Sequence, residues 1–483
     1  MKWEKAFERV DDHRWRIPKG TVECMRTDAV VFASEGMLPS IASDNAPLQA
    51  ANVACLPGIV GDSLAMPDIH WGYGFPIGGV AAVDADHGYI SPGGIGFDIN
   101  CGVRLIRTDL RREDVSKHLD ALMDALYLNV PSGLGSKGLK KLNDEELSKV
   151  LEYGSEWAVR NGYGWDRDLE RTEEGGRMEG ADPTHVSDRA KKRGIPQLGS
   201  LGSGNHFLEV DVVDEVFDEG AAKAFGLSEG MVTVTVHCGS RGCGHQIATD
   251  YLADMGKYVR DNDVRLPDPQ LACAPLSSDI GARYFSAMSC GANYAWANRQ
   301  MITHWVRESF EKVFSDSAES LGIEMVYDVA HNIAKKERHA WEGGSGDVLV
   351  HRKGATRAFA PGRPELPMAY RDVGQPVIVP GDMSTGTYVL VGAEGAMTQS
   401  FGSSCHGAGR EMSRKQAVRT IRAGDVKREM RDRSIVLRSG SDASLVEEAP
   451  SAYKDLETVV DVVVGAGLTG KVARLTPIGV VKG

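Results

Sequence analysis

A single large unit of interleaved strands and helices is the fold predicted for this chain, and three observations predict it. No Pro-rich or Ser-rich run and no low-complexity tract interrupts the 483 residues, so the two or three domains that length alone suggests have no linker between them. The 56 glycines are spread along the chain instead of being gathered into spacers. β-Branched runs ending in glycine turns alternate with amphipathic stretches of helical period. With 42% hydrophobic and 25% charged residues, the composition is that of a globular protein able to bury a large core. The N-terminus MKWEKAFERVDDHRW is charged and no apolar run is long enough to span a bilayer, so a cytoplasmic protein without membrane contact is expected. Eight cysteines lie scattered with no CxxC pair, and reduced thiols are the expectation. A net charge of −12 argues against non-specific coating of nucleic acid but leaves room for a local basic groove.

The first fifty residues carry no readable chemistry. Met66 to Val83 follows as an extended segment that sets Asp68 and His70 on one side, two apart, as metal ligands, supporting residues, a general base or simply a polar strand end. The stretch SPGGIGFDINCGVR, Ser91 to Arg104, is the centre of the chain: glycines surround Asp98 and Cys101, three apart, an oxygen and a sulfur able to share one cation or bridge two. A turn holding a buried cysteine is the alternative. Gly102 to Thr108 reads as the strand that leaves it, Arg111 to about Tyr127 and Asp144 to Asn161 as helices, and the charged stretch from Asp166 to Gly194 as a solvated face.

Three later strand boundaries each carry a histidine. Gly199 to Val210 presents Asn205 and His206 before an apolar strand containing Glu209. Met231 to Ile247 is a β-branched run that delivers His237 into a turn with Ser240, Arg241 and His245. Glu324 to Ala334 ends a strand on His331 and Asn332, after a helix from about Ser278 to Val313 whose Tyr294, Trp296, Trp305 and Phe310 read as core. Asp98, Cys101, His206, His237 and His331 therefore form a ligand set, against the alternative that each histidine is a satisfied structural residue. Such donors suit zinc, iron or manganese alike.

The last third differs. Val350 to Phe359 is a basic strand and turn with Arg352, Lys353 and Arg357, suited to phosphate or to surface charge. Val377 to Gly392 reads as two strands joined by a polar turn with Asp382, Ser384, Thr385 and Thr387. His406 then stands among Ser, Gly and Ala directly ahead of a predicted helix, a setting for a nucleophilic histidine attacking phosphorus or for a structural histidine in a glycine turn. That helix is strongly basic from Arg410 through Arg433, able to line a nucleic-acid groove or to be a solvated face. Tyr453 falls in a further helical stretch, and a last strand closes on Lys482.

DINCGVR, GSGNHFLEV, HCGSRGCGHQ, AHNIA, HRKGATRA, CHGAGREMSR and the PSAYKD to VVKG tail together resemble the RtcB family of RNA ligases, in the same order and over most of the chain. The resemblance implies an α+β fold, one RtcB-like catalytic domain over residues 1–483 with mixed β-sheets, two Mn²⁺ ions and GTP. It implies the joining of RNA 3′-phosphate or 2′,3′-cyclic phosphate ends to 5′-hydroxyl ends, in RNA repair or tRNA splicing, through a guanylylated histidine and an RNA-pyrophosphate-guanylate intermediate. By that resemblance Asp98, Cys101 and His206 hold one ion and Cys101, His237 and His331 the other. His406 is the guanylylated nucleophile, with Asp68 near the metals. Asn205, Phe207, Glu209, Asn332, Ala408, Gly409, Tyr453 and Lys482 surround the guanylate, and Arg241, Lys353, Arg410 and Arg414 meet RNA phosphate.

The chain departs from the family pattern at Asp382, Met383 and Ser384, where a Ser-Met-Gly turn is expected, at Thr387, where Ser is frequent, and at Cys238 after His237. Asp382, Ser384 and Thr387 stand near the expected nucleotide, where an extra carboxylate can weaken triphosphate binding or serve as a further contact. Two alternatives follow: a guanylyltransferase that caps 3′-phosphate ends of RNA or DNA without joining them, and a non-catalytic RNA-binding paralogue. The need for an activating protein is not legible in the residues.

Overall fold

Runs of Val, Ile and Ala in the sequence become the strands of two large sheets in the computed structural model, which describes residues 3–483. The first sheet has seven strands in the order Glu8–Arg9, Arg14–Ile17, Ala29–Phe32, Ile59–His70, Ile77–Asp84, Gly344–Lys353 and Asn332–Trp341. Only Ala29–Phe32 and Ile59–His70 run parallel within it. Because Gly344–Lys353 pairs with Ile77–Asp84, residues from the chain's first and last thirds share one sheet, which is the interleaving that a chain without linkers requires. The second sheet follows the order Glu324–Ala330, Gly102–Arg111, Met231–Cys238, Phe207–Val216, Thr469–Lys482, Thr387–Gly392 and Pro376–Pro380, antiparallel throughout. Val436–Ser439 adds a parallel partner to Thr469–Lys482. The mixed α and β architecture with several sheets matches the expected fold class.

Alternation gives the two central strands of the second sheet, Met231–Cys238 and Phe207–Val216, an apolar row and a polar row. Val232, Val234 and Val236, with Leu208, Val210 and Val212 of the neighbouring strand, enter the main core beside the helix Asp279–Phe314. Ser278 caps that helix by accepting from the Gly281 amide, and Tyr294, Trp296, Trp305 and Phe310 are buried in the core as expected. The other face carries Thr233, Thr235 and His237 opposite Asp211, Glu209 and Phe207, all buried. Met231 apart, the apolar residues of Met231–Cys238 thus lie on one side and leave the other to a polar row.

Several expected elements divide. Met66 to Val83 spans the end of one strand and most of the next, Ile59–His70 and Ile77–Asp84. The helix expected from Arg111 becomes Arg112–Ser116 and Leu119–Asn129. The one expected from Asp144 breaks into Asp144–Tyr153 and Ser155–Arg160 at Gly154, whose φ is +55° and where a Cβ would lie 2.2 Å from the Gly176 carbonyl oxygen. The charged stretch from Asp166 is not wholly a solvated face: Asp168 is buried and accepts both arms of the Arg307 guanidinium at 2.7 Å. The expectation of eight reduced cysteines is corrected as well. Cys24 and Cys55 are disulfide-bonded, because Arg26 ties its amide to the Ala54 carbonyl at 2.9 Å and its side chain to the Cys55 carbonyl at 3.2 Å, holding their segments side by side. The other six are free and buried. Among the described residues no helix is long and apolar enough to cross a membrane.

Candidate active site

Three adjacent strands of the second sheet present one side chain each to the same point. Phe207, His237 and Lys482 are direct cross-strand partners, so they share a face, and the Lys482 ammonium lies 5.7 Å from the Phe207 ring centre. Cys101 immediately precedes the strand that pairs with Met231–Cys238, and His331 immediately follows the strand that pairs with it on the other side. The loop between is fixed by its backbone: the His331 amide donates to the Cys101 carbonyl at 2.9 Å and the Asn100 amide to the Asn332 carbonyl at 2.6 Å. Gly102 is required there, since a Cβ would lie 2.3 Å from the Val329 carbonyl oxygen.

The five sequence-predicted donors come together as two triads sharing one sulfur, Asp98, Cys101 and His206, and Cys101, His237 and His331. Cys101 Sγ lies 3.3 Å from His206 Nε2 and 3.2 Å from His237 Nε2. His206 Nε2 lies 2.8 Å from Asp98 Oδ2, and His237 Nε2 lies 3.3 Å from His331 Nε2. Burial, then the charge of neighbouring rings, pushes the pKa of His237 and His331 well down, leaving both imidazoles neutral with lone pairs to give. Burial followed by the Asp98 charge pushes the Cys101 thiol up to about 12. Burial works against a charged Asp98, but His206 outweighs it and holds the carboxyl at about 2. The buried Nδ1 atoms of His237 and His331 have no hydrogen-bond partner, and the two Nε2 atoms have only each other and the Cys101 sulfur. A carboxylate, a thiol and three imidazoles in that arrangement fit divalent cations, whose binding would release the thiol proton.

His406 belongs to the loop after Ser403–Cys405, a short strand paired with Ala355–Arg357. The next helix, Arg414–Thr420, starts eight residues on, so the expected helix N-terminus at His406 is corrected, and the expected basic helix is two, Arg414–Thr420 and Ala423–Asp432. What holds His406 instead is Asp68, at the end of Ile59–His70 and fully buried: one oxygen, Oδ2, accepts the His406 amide at 3.0 Å and lies 2.6 Å from ring Nδ1. In a neutral ring, a carboxylate on Nδ1 holds the proton there and puts the lone pair on Nε2. Asp68 thus serves His406 and not the donor triads directly. Gly409 makes the crossing possible, with φ +72° and room for no Cβ, which would lie 2.4 Å from the Asp68 carbonyl oxygen. The ring of His406 stands 4.9 Å from that of His331, which joins the nucleophile candidate to the donor cluster.

A cavity of about 720 Å³ opens over these groups. Its walls include Asn205, Phe207, Glu209, Asn332, Asp382, Ala408, Gly409, Tyr453 and Lys482. Burial, then the neighbouring Asp211, drives the pKa of Glu209 well up, while burial lowers that of Lys482. Ser384 and Thr387 are buried off the cavity wall, Thr387 within its strand. The Asp382 carboxylate is spent on its own turn, where Oδ1 accepts the Ser384 amide and hydroxyl at 2.8 and 2.7 Å and Oδ2 the Thr385 hydroxyl at 3.0 Å.

The cations expected to meet RNA differ in their freedom. Arg352, Lys353 and Arg357 are all buried, so that basic strand is not surface charge. The Lys353 ammonium donates to the carbonyls of Tyr73, Phe75 and Gly93, and burial lowers its pKa to about 7. Arg241 lies off the cavity and bonds Ser136 and Ser200. Arg410 and Arg414 both reach Glu448, at 3.0 and 3.1 Å, and the Tyr453 hydroxyl donates to the same carboxylate. Glu448 is buried, and though burial disfavours its charge, Lys482, Arg414 and Arg410 bring its pKa down. Sequence reasoning missed it. Its only signal was its place beside the PSAYKD segment, which points to no partner.

A family model described as tRNA-splicing ligase RtcB matches residues 49–483. Over 483 residues that cover both chains entirely, the protein is 58% identical to a tRNA-splicing ligase RtcB of Thermococcus kodakarensis. It is 54% identical to one of Methanococcus maripaludis, over 99% of this chain and all of that one, and 54% identical to one of Archaeoglobus fulgidus over the whole of both.

Proposed function

The chain belongs to the tRNA-splicing ligase RtcB family, and on that premise we propose that it is an RNA ligase joining 3′-phosphate or 2′,3′-cyclic phosphate ends to 5′-hydroxyl ends through a guanylylated His406. The observation that carries the proposal is the contact of Asp68 with His406 Nδ1 at 2.6 Å, beside the donor cluster. It orients the ring and keeps Nε2 as a lone pair, the requirement of a histidine nucleophile.

In this reading His406 Nε2 attacks the α-phosphorus of GTP; the N–P bond forms as the bond to pyrophosphate breaks. The imidazolium charge that develops lies against the Asp68 carboxylate. A 2′,3′-cyclic end is first opened by water to a 3′-phosphate with a free 2′-hydroxyl; a 3′-phosphate oxygen then takes the guanylate from His406, returning the neutral ring, and a 5′-hydroxyl, losing its proton, attacks the RNA phosphorus and expels GMP. Asp98, Cys101 and His206, with His237 and His331, would hold two divalent cations, Mn²⁺ in this reading, which would neutralise phosphate charge and favour loss of the hydroxyl proton. Glu209 and Lys482 meet the guanine as a carboxylate for its N–H edge and an ammonium for its carbonyl oxygen. Phe207 packs below them, and Asn205 and Asn332 border the phosphates; the Asn332 side chain is set by donating to the Asp98 carbonyl at 3.1 Å. Arg410 and Arg414 border the path of the RNA.

The test is incubation with Mn²⁺ and GTP labelled at the α-phosphate. Acid-labile label on the wild-type protein and none on His406→Ala is the expected result. Label retained by His406→Ala, or wild-type protein with bound metal and no label, would remove the assignment. Defined RNA ends then separate joining from capping.

A further inference from the structure

Beside Asp98 the cavity wall turns aromatic. Trp71, Tyr73 and Phe97 line it, Phe97 being the residue before the donor carboxylate. Tyr73 meets Phe97 edge-on with ring centres 5.3 Å apart, and on its far side Phe97 stacks on the exposed ring of His245 at 5.0 Å with planes 25° apart. Trp71 is 61% exposed. A bare indole on a protein surface usually needs no explanation, but the backbone that carries this one is held in place. The Trp71 amide donates to Asp44 Oδ2 at 2.8 Å, and Gly72 exchanges both its backbone bonds with the Gln49 amide, at 2.8 and 2.9 Å. The Tyr73 carbonyl accepts from the Lys353 ammonium, and the Gly74 amide donates to Gln270 Oε1 at 3.0 Å. Four successive residues are anchored to separate parts of the fold while the largest ring among them stays open to the cavity.

We propose that Trp71, Tyr73 and Phe97 form a stacking platform for the unpaired terminal nucleobase of an RNA end, bringing that end's reacting group beside Asp98. The inference rests on the RNA-ligase reading above. An exposed aromatic face on anchored backbone takes a base by its π-face, whatever the base, which suits an enzyme that must accept ends by their chemistry and not by their sequence. The occupant is a base and not an apolar peptide because the rings share one cavity with His406 and the donor cluster, where the two RNA ends must meet.

The full-length protein is titrated, without GTP, with short RNAs carrying 2-aminopurine as the terminal base, one set ending in a 5′-hydroxyl and one in a 3′-phosphate. Quenching of one of the two labelled ends is expected, and Trp71→Ala should raise the Kd of that end about 10-fold or more, with Trp71→Phe keeping most of the affinity. RNA with an abasic terminal nucleotide should bind wild type and Trp71→Ala alike. Equal weakening of base-bearing and abasic ends by Trp71→Ala, or no quenching of either end, overturns the platform. The titration uses neither guanylyl transfer nor joining, so these outcomes are distinct from missing label on His406, which would overturn the ligase reading.

Discussion

Two buried polar clusters lie on either side of the Asn100 backbone, and they differ in whether their groups complete one another. Below it, Asp328 accepts from Arg104 at 2.7 Å and from Arg299 at 2.8 Å on each oxygen, all three side chains fully buried. Arg299 spends its other N–H groups on the carbonyls of Asn100 and Cys238 and on the Asn100 side chain, at 2.7 to 3.0 Å. Above it, the Nε2 atoms of His237 and His331 have only each other and the sulfur of Cys101 within reach, and the buried Nδ1 of each ring has no partner. A closed cluster holds the backbone, and an open one waits for a cation. The first fixes the residues that flank Cys101 and His237, so the second keeps its geometry without having to satisfy itself.

Substitution should separate the two. Cys101→Ala removes the shared donor and should take bound Mn²⁺, read by elemental analysis after gel filtration, from two per chain to near none while the protein stays folded; two ions retained would break the bridging assignment. Asp68→Asn keeps the shape but not the charge on His406 Nδ1 and should slow guanylyl transfer by about 10²- to 10⁴-fold with metal content unchanged. A rate close to wild type would show that the contact does not set the tautomer. Asp328→Ala leaves two buried guanidinium groups without their carboxylate, and denaturant unfolding should show a loss of about 3–5 kcal/mol. If instead stability holds and only metal is lost, the closed cluster belongs to the site after all.

The smallest expected effect is at a cluster of intermediate kind. Lys335, then Arg357, lower the pKa of Glu174 to about 2 although burial opposes them. Its folded pKa is below the ordinary 4.5, so the stability it contributes is complete above about pH 4.5 and is lost as pH falls towards 2. With the side chain 34% exposed, solvent screening leaves about 1 kcal/mol. Glu174→Gln should lose that amount at pH 7 and flatten the acid limb between those values in thermal melts; an unchanged acid limb would assign the transition to other carboxylates.

The donors and the nucleophile candidate were legible because each has a local signature. Asp98 and Cys101 sit in one glycine loop, and His206, His237 and His331 each stand at the boundary of an apolar run. The long helix Asp279–Phe314 was legible from its period and its Ser278 cap. Asp68 was noticed, but its partner was not, since 338 residues separate it from His406. Glu448 gave no sign that three other side chains would converge on it. The pairing of Cys24 with Cys55 was missed for the same reason, and the Lys353 ammonium, read as a phosphate contact, turns inward to three carbonyls.

What the sequence determined by itself was the set of groups and the strand ends that display them, because alternation and glycine turns act over a few residues. Which of those groups touch was decided by the tertiary structure. Cross-strand register brings Phe207, His237 and Lys482 to one face, and the passage of the Gly409 loop over Asp68 gives His406 its carboxylate. Both depend on how distant segments pack, and the free energy of that packing is spread over the whole core and belongs to no single motif.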